Sequence, residues 1–406
     1  MNSLAKKIVI LLSVAVLIYV TAGYVRARSS DDNAYSALTV YTEVLAHIQR
    51  DYVDEPNMQT VTNGALHGLV DSLDPQSSYL SPLEYKDYKE ESEKKDPAGA
   101  GLSLTKRYDY LSVISTLPDS PAQKANLRIG DIIEKLAGFT TSQMSIDQAQ
   151  LLLSGEPGSV VKLSVIRHGK TEPEEVDLTL ARLAPPKIVE ARLPDDIAYL
   201  RIPEFSPGMS REIREKLVSL NHEGVHKLVL DLRDCSLGDV QEGISTAQLF
   251  LSSGTIATLK GQTVSPEISS ADPSKVVWTQ PVSVLIGNGT AGPAEVLAAA
   301  LGDNHRAETI GDRTYGTASK QKLIGLDDGA ALILTVANYY TPAGKEITVD
   351  GVAPTVEVAP PVADSVAQMD QTLPPISDEP VSATDPVIKK AIDVLSGTGA
   401  ALKKAA

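Results

Sequence analysis

The 406-residue sequence predicts a multidomain α+β protein: a helical N-terminal region, a small strand-rich module and a larger α/β core. Three observations predict it. Apolar residues recur at three- and four-residue spacing through residues 35–92; short alternating apolar runs punctuated by Gly and Pro fill residues 97–183; strands alternate with helices over residues 184–357. A hydrophobic content of 42% supplies material for real cores. The formal charge of −15, from 37 basic and 52 acidic side chains, argues against nonspecific nucleic-acid binding, which needs a basic footprint.

Residues 1–30 read as a signal peptide or membrane anchor. Lys6 and Lys7 precede an uncharged run from Ile8 to Val25, long enough to span a bilayer if left uncleaved. The small-residue sites around Thr21-Ala22-Gly23 and Val25-Arg26-Ala27 are poor cleavage sites, which favours an uncleaved anchor with an extracytoplasmic body; Arg26 and Arg28 weaken the charge asymmetry. Residues 31–95 form the helical region, through Leu38, Tyr41, Val44, Leu45 and Ile48 and then Leu66, Leu69, Val70 and Leu73. The charged segment Lys86 to Asp96 marks a boundary.

In residues 96–183, alternation at Leu111, Val113 and Leu117 and at Val160, Leu163 and Val165 predicts strands. Pro121 to Ala125 makes a short helix, and Ser145 caps another that runs through Leu153. Residues 184–358 carry strands at Ile197–Ile202, Lys227–Leu232, Val282–Ile286 and Leu332–Tyr339, alternating with helices at Ser210–Leu220, Val240–Leu251 and Pro293–Leu301. Residues 359–406 read as a Pro-rich linker and a last short helix, Pro386–Leu395, either folded back or free.

The richest segment runs from Val282 to Leu301. A buried strand meets a turn marked by Gly287, Gly289 and Gly292, then a helix with proline in its first turn. Strand, glycine elbow and helix N-terminus would present backbone N–H groups to an oxyanion or peptide carbonyl.

The elbow Gly289-Thr-Ala-Gly-Pro-Ala-Glu295 resembles Gly-Ser/Thr-Ala-Ser-Ala-Ser-Glu of the carboxy-terminal processing peptidases, serine–lysine proteases of the bacterial envelope and plastids. Leu73-Asp-Pro-Gln-Ser-Ser-Tyr-Leu80 resembles that family's Leu-Asp-Pro-His-Ser-Ser-Tyr, with Gln76 for histidine. Ser120 to Asp131 resembles the signature of its PDZ module. Leu228 to Arg233 resembles the strand entering its oxyanion loop, and Tyr339 to Ile347 with Asp350 to Pro354 its closing strand and turn. The resemblance implies a PDZ domain and a peptidase core of the ClpP/crotonase-like type, acting on protein C-terminal tails or unfolded envelope proteins at the periplasmic face, with no cofactor or metal.

It also exposes what is missing. Gly292 stands at the nucleophile position and Thr317, in Gly316-Thr-Ala-Ser-Lys-Gln321, at that of the lysine base. Gln321 is retained. Where the oxyanion loop reads Asn-Asn-Pro-Gly-Gly, this chain has Asp234-Cys-Ser-Leu-Gly238, keeping Gly238 alone of the pair. Glycine cannot attack a carbonyl, and a threonine hydroxyl stays protonated near neutral pH. Neighbouring candidates are Thr290, Lys320 and Cys235. In a strand from Gly316 to Leu323, Thr317, Ser319 and Gln321 share a face that Lys320 leaves, and no motif sets a histidine beside Cys235.

By resemblance the PDZ groove comprises the loop Gly99, Ala100 and Gly101, the strand residues Leu102 and Leu104, and Ala149 and Leu153 on the facing helix. Cys235 is the single cysteine, and the closest histidine pair, His222 and His226, lacks the glutamate of a zinc helix. Two readings stay open: an inactive, membrane-anchored binding protein for C-terminal tails, and an active serine-type endopeptidase with relocated catalytic residues.

Overall fold

The computed structural model describes residues 38–94, 98–107, 109–167, 170–358 and 385–397; the expected signal or anchor segment, most of the expected linker and the final residues lie outside the described residues. The chain divides into two units, one up to Leu66 and one from His67 onward. In the first, residues 38–51 are helical, as the apolar spacing predicts, and Leu38, Tyr41 and Val44 are exposed. Helices Met58–Asp71 and Pro82–Ser92 follow. The structure therefore departs from a single helical region over 31–95. Residues from His67 onward belong to the second unit, and Ser78–Leu80 is a strand whose Tyr79 lies opposite Leu332. Three residues are too few for any period to reveal them.

The strand-rich module is an antiparallel sheet in the order Leu102–Arg107, Tyr110–Thr116, Ile132–Leu136, Val160–Ile166, Pro173–Thr179. Leu111, Ile133, Leu136, Leu163 and Val165 are fully buried in its core. Helix Ile146–Leu152 starts at the Ser145 side chain, which accepts the Gln148 N–H while Gln148 reaches back to the Ser145 amide. Helix Pro121–Lys124 starts at the Ser120 side chain, which accepts the Gln123 N–H, with a proline in its first turn.

The core is built on a six-stranded sheet in the order Val189–Leu193, Ile197–Arg201, Lys227–Asp231, Val282–Ile286, Glu308–Gly311, Val356–Glu357. The first pair is antiparallel and the rest parallel. Val282–Ile286 is buried at every position, as a central parallel strand must be. Side-chain alternation then sorts the helices. Leu228, Leu230, Val284 and Ile286 share a cluster with Ile213, Leu217, Ile244 and Leu297 of helices Met209–His222, Val240–Ala247 and Pro293–Asp303. Val229 and Leu285 point the other way, into a cluster with Ile388 and Ala391 of helix Pro386–Leu395. The last helix is thus folded back, closing the face left open.

A second sheet is organised around Ala331–Tyr340, which pairs with Ser319–Gly325 along one side and with Ser78–Leu80 and Thr255–Lys260 along the other. Glu308–Gly311 and Thr255–Lys260 are absent from the sequence reading because short strands flanked by polar loops carry little periodicity.

Candidate functional site

The neighbouring parallel strands Lys227–Asp231 and Val282–Ile286 end side by side, and beyond their carboxyl ends lie the loop Asp234–Gly238 and the glycine elbow. That crevice is the ordinary place for a site on an α/β sheet. Gly292 forms the tip with φ 55° and ψ −116°. An L-residue is strained there, and nucleophile elbows accept that strain to expose a side chain. A Cβ built on Gly292 would meet only Ser236 O, at 3.8 Å, so a side chain has room and none is present.

The helix end behind the tip differs from the expected array of open amides. Pro293 has no N–H. The Gly292 N–H donates to Glu295 Oε2 at 2.9 Å and the Ala291 N–H to Cys235 O at 3.0 Å. Ala294 and Glu295 donate to the carbonyls of Ala291 and Gly292. Proline reads from sequence only as a helix starter, and its second consequence emerges once the tip is located.

Glu295 is fully buried and joins the two halves of the site. Besides Gly292 it accepts the Thr314 hydroxyl at 2.5 Å, the Gly316 N–H at 2.6 Å and the Thr317 N–H at 2.9 Å. Burial pushes its carboxyl up to about 7, against the pull of those four donors.

Thr317 sits just before strand Ser319–Gly325, which begins later than the expected Gly316. Its carbonyl accepts Gln76 Nε2 at 3.2 Å; Gln76 Oε1 in turn accepts Ser319 Oγ and Gln321 Nε2, each at 2.5 Å. The expected shared face of Ser319 and Gln321 is therefore real, and Gln321 is held by a residue standing in for a histidine. Lys320 is exposed at a register shift in the strand.

Two alternative nucleophiles are poorly placed. Thr290 is fully buried; its hydroxyl donates to Leu232 O at 2.9 Å and accepts the Gly287 N–H at 3.1 Å. Cys235 is fully buried in the apolar core, and burial pushes its thiol well above its usual range. In the loop, Gly238 has φ 115° and a Cβ there would lie 2.2 Å from Phe205 O. Phe205 N–H donates to Leu237 O and Asp239 N–H to Phe205 O, so backbone contact fixes the loop.

A cavity of about 920 Å³ opens beside the base position, lined by Gln76, Thr314, Tyr315 and Thr317 and, from the strand-rich module, by Thr105 and Arg107. Gly292 is not among its lining residues. The module also reaches the loop directly, since Ser115 Oγ and Ser236 Oγ are 2.6 Å apart.

The expected groove residues fall on three elements. Gly99 pairs with Ser154 and Ala181, and the Ala100 carbonyl accepts the Ala122 N–H at 2.9 Å. Gly101 has φ 68°, and a Cβ there would collide with the Ser120 side chain. Leu102 and Leu104 lie on the edge strand, and both join Ala149 and Leu153 in one apolar cluster. Of these four, Leu102 is the one left half-buried.

Comparison with known proteins gives these parts an ancestry. Residues 196–358 match the model for peptidase family S41, and residues 99–178 that for the PDZ domain. The carboxy-terminal-processing protease of Bartonella bacilliformis is 30% identical over 348 residues, covering 84% of this chain and 80% of that protein. The chain belongs to the carboxy-terminal processing protease family. The carboxyl-terminal-processing protease of Synechocystis is also 30% identical, over 86% of this chain and 81% of that protein. A solved photosystem II D1 C-terminal processing protease superposes with a TM-score of 0.67 at 26% identity, covering 80% of this chain and 93% of that one. In this family member the PDZ domain and the S41 core are both present, with Gly292 at the elbow tip and Thr317 just before strand Ser319–Gly325. Among the described residues no cluster of metal-binding side chains occurs, and no helix is long and apolar enough to cross a membrane.

Proposed function

We propose that this carboxy-terminal processing protease homologue does not cleave peptides and instead captures protein C-terminal tails through its PDZ groove. The observation that carries the proposal is the elbow tip: Gly292 keeps the backbone geometry that presents a nucleophile, φ 55° and ψ −116°, with no atom to attack. Thr317 supplies no base. In a comparable serine protease, loss of the nucleophile costs on the order of a millionfold in kcat. Thr290, with its hydroxyl engaged twice, Cys235, sealed in the core, and Lys320, out at the surface, are unsuited to replace the dyad.

The location proposed with this role is the periplasmic face of the cell envelope, through an N-terminal anchor at residues 1–30. It rests on the pattern of Lys6, Lys7 and the run Ile8–Val25.

The test uses residues 30–406 and a fluorescent peptide with a free apolar C-terminus. Binding without cleavage, and weaker binding of the amidated peptide, is the expected result. Cleavage that survives Thr290→Ala and Cys235→Ala overturns the non-cleaving reading. Equal affinity for the free and amidated peptides removes the carboxylate-binding loop.

A further inference from the structure

We propose that Pro293 is a further point at which the peptidase chemistry was lost, because it deletes the backbone donor that would stabilise an oxyanion at the elbow. The inference rests on the non-cleaving reading above and goes beyond the dyad.

In α/β-hydrolases, whose nucleophile also sits on a strand–turn–helix elbow, the amide following the nucleophile supplies one of the oxyanion-hole donors. Attack by an introduced hydroxyl forms the C–O bond, moves the carbonyl pair onto oxygen and passes the hydroxyl proton to the base. The new negative charge then needs N–H donors already in place. Here the residue after the tip is Pro293, at the first position of helix Pro293–Asp303. Its nitrogen carries no proton.

Neighbouring amides do not fill the gap. Gly292 N–H is held by Glu295 Oε2 at 2.9 Å, Ala291 N–H by Cys235 O at 3.0 Å and Ala294 N–H by Ala291 O at 3.3 Å. In the facing loop, Asp239 N–H is held by Phe205 O at 2.9 Å. Proline suits the helix, since its missing N–H falls where a first-turn amide would lack an intrahelical partner and its φ is already helical. The substitution thus favours a rigid binding scaffold while removing a catalytic group.

The consequence is that Gly292→Ser with Thr317→Lys, which restores both dyad members, remains defective until Pro293→Ala is added. The test compares this double variant with the triple variant on the free-C-terminus peptide. The triple is expected to exceed the double by ~10²–10³-fold in kcat/KM, the usual effect of one oxyanion-hole donor. A peptide aldehyde, whose hemiacetal carries the oxyanion, is expected to inhibit or bind the triple more tightly. Pro293→Ala in the otherwise unchanged chain, followed by circular dichroism and urea unfolding, checks that the helix is retained. Equal cleavage by double and triple variants overturns the role of Pro293. If neither cleaves, equal aldehyde affinity overturns it as well. Cleavage by the unchanged chain is a different failure, that of the non-cleaving reading itself.

Discussion

The backbone N–H of Thr317 donates to Glu295 Oε2 at 2.9 Å, and the same oxygen accepts the N–H of Gly292. One buried carboxylate therefore couples the elbow at Gly292 to the segment at Thr317. The coupling belongs to the scaffold, so its loss is expected to be felt as stability.

That coupling should be visible as a pH effect. Burial raises the Glu295 carboxyl from an ordinary 4.5 to about 7 in the folded state, so the native protein holds this proton more tightly than the unfolded chain. Its contribution is fully present below pH 4.5 and is lost as pH rises to about 7. The size is about 3 kcal/mol, from the free energy of each pKa unit. Urea unfolding from pH 4 to 8 should show this fall, and Glu295→Gln should flatten it; an unchanged slope in that variant would assign the effect elsewhere.

Two glycines at the site should respond differently to an added methyl group. Gly292→Ala meets only Ser236 O, at 3.8 Å, so its cost is backbone strain, about 1–2 kcal/mol. Gly238→Ala drives its Cβ to 2.2 Å from Phe205 O and must displace backbone. Denaturation midpoints should place Gly238→Ala as clearly the more damaging. The reverse order would contradict the loop geometry.

Cys235 is expected to be chemically silent in the native state. It is fully exposure-free, and burial pushes the thiol well above its usual range. Ellman's reagent should modify it only after unfolding in urea. Rapid labelling of the native protein would reopen it as a nucleophile.

The C-terminal helix, packed through Ile388 and Ala391, should also depend on one carboxylate. Asp385 accepts the Val387 N–H at 2.8 Å as helix cap and pairs with Arg233 at 2.6 Å, and Arg233 also grips buried Asp231 at 2.6 Å. Asp385→Ala is expected to cost about 1–2 kcal/mol from the cap and to speed hydrogen exchange in residues 386–395 well before the central strand Val282–Ile286. Uniform acceleration in both would mean that the helix does not move as a separate element.

Much of the fold was legible because its signals are local. Periodicity placed Val282–Ile286 without error and the helix starting at Pro293 to within two residues of its end; Ser145 marked a helix start through its capping chemistry. The strand Ser78–Leu80 was hidden, because its only evidence is the pairing with Ala331–Ile333 some 250 residues away. The groove residues could be named from resemblance, yet the cluster that gathers Ala100, Leu102, Leu104, Ala149 and Leu153 is a property of packing alone.

Sequence by itself determined which side chains exist, with no hydroxyl at 292 and no amine at 317. Only the tertiary structure decided what the remaining groups do. It turned Thr290 inward onto Leu232 O, sealed Cys235 in the core and folded the last helix against Val229 and Leu285. It also showed that the amides of Ala291, Gly292 and Ala294 around Pro293 are already bonded. The reason is physical: composition and spacing report the groups a chain carries, whereas burial and hydrogen-bond partners arise from residues far apart in sequence.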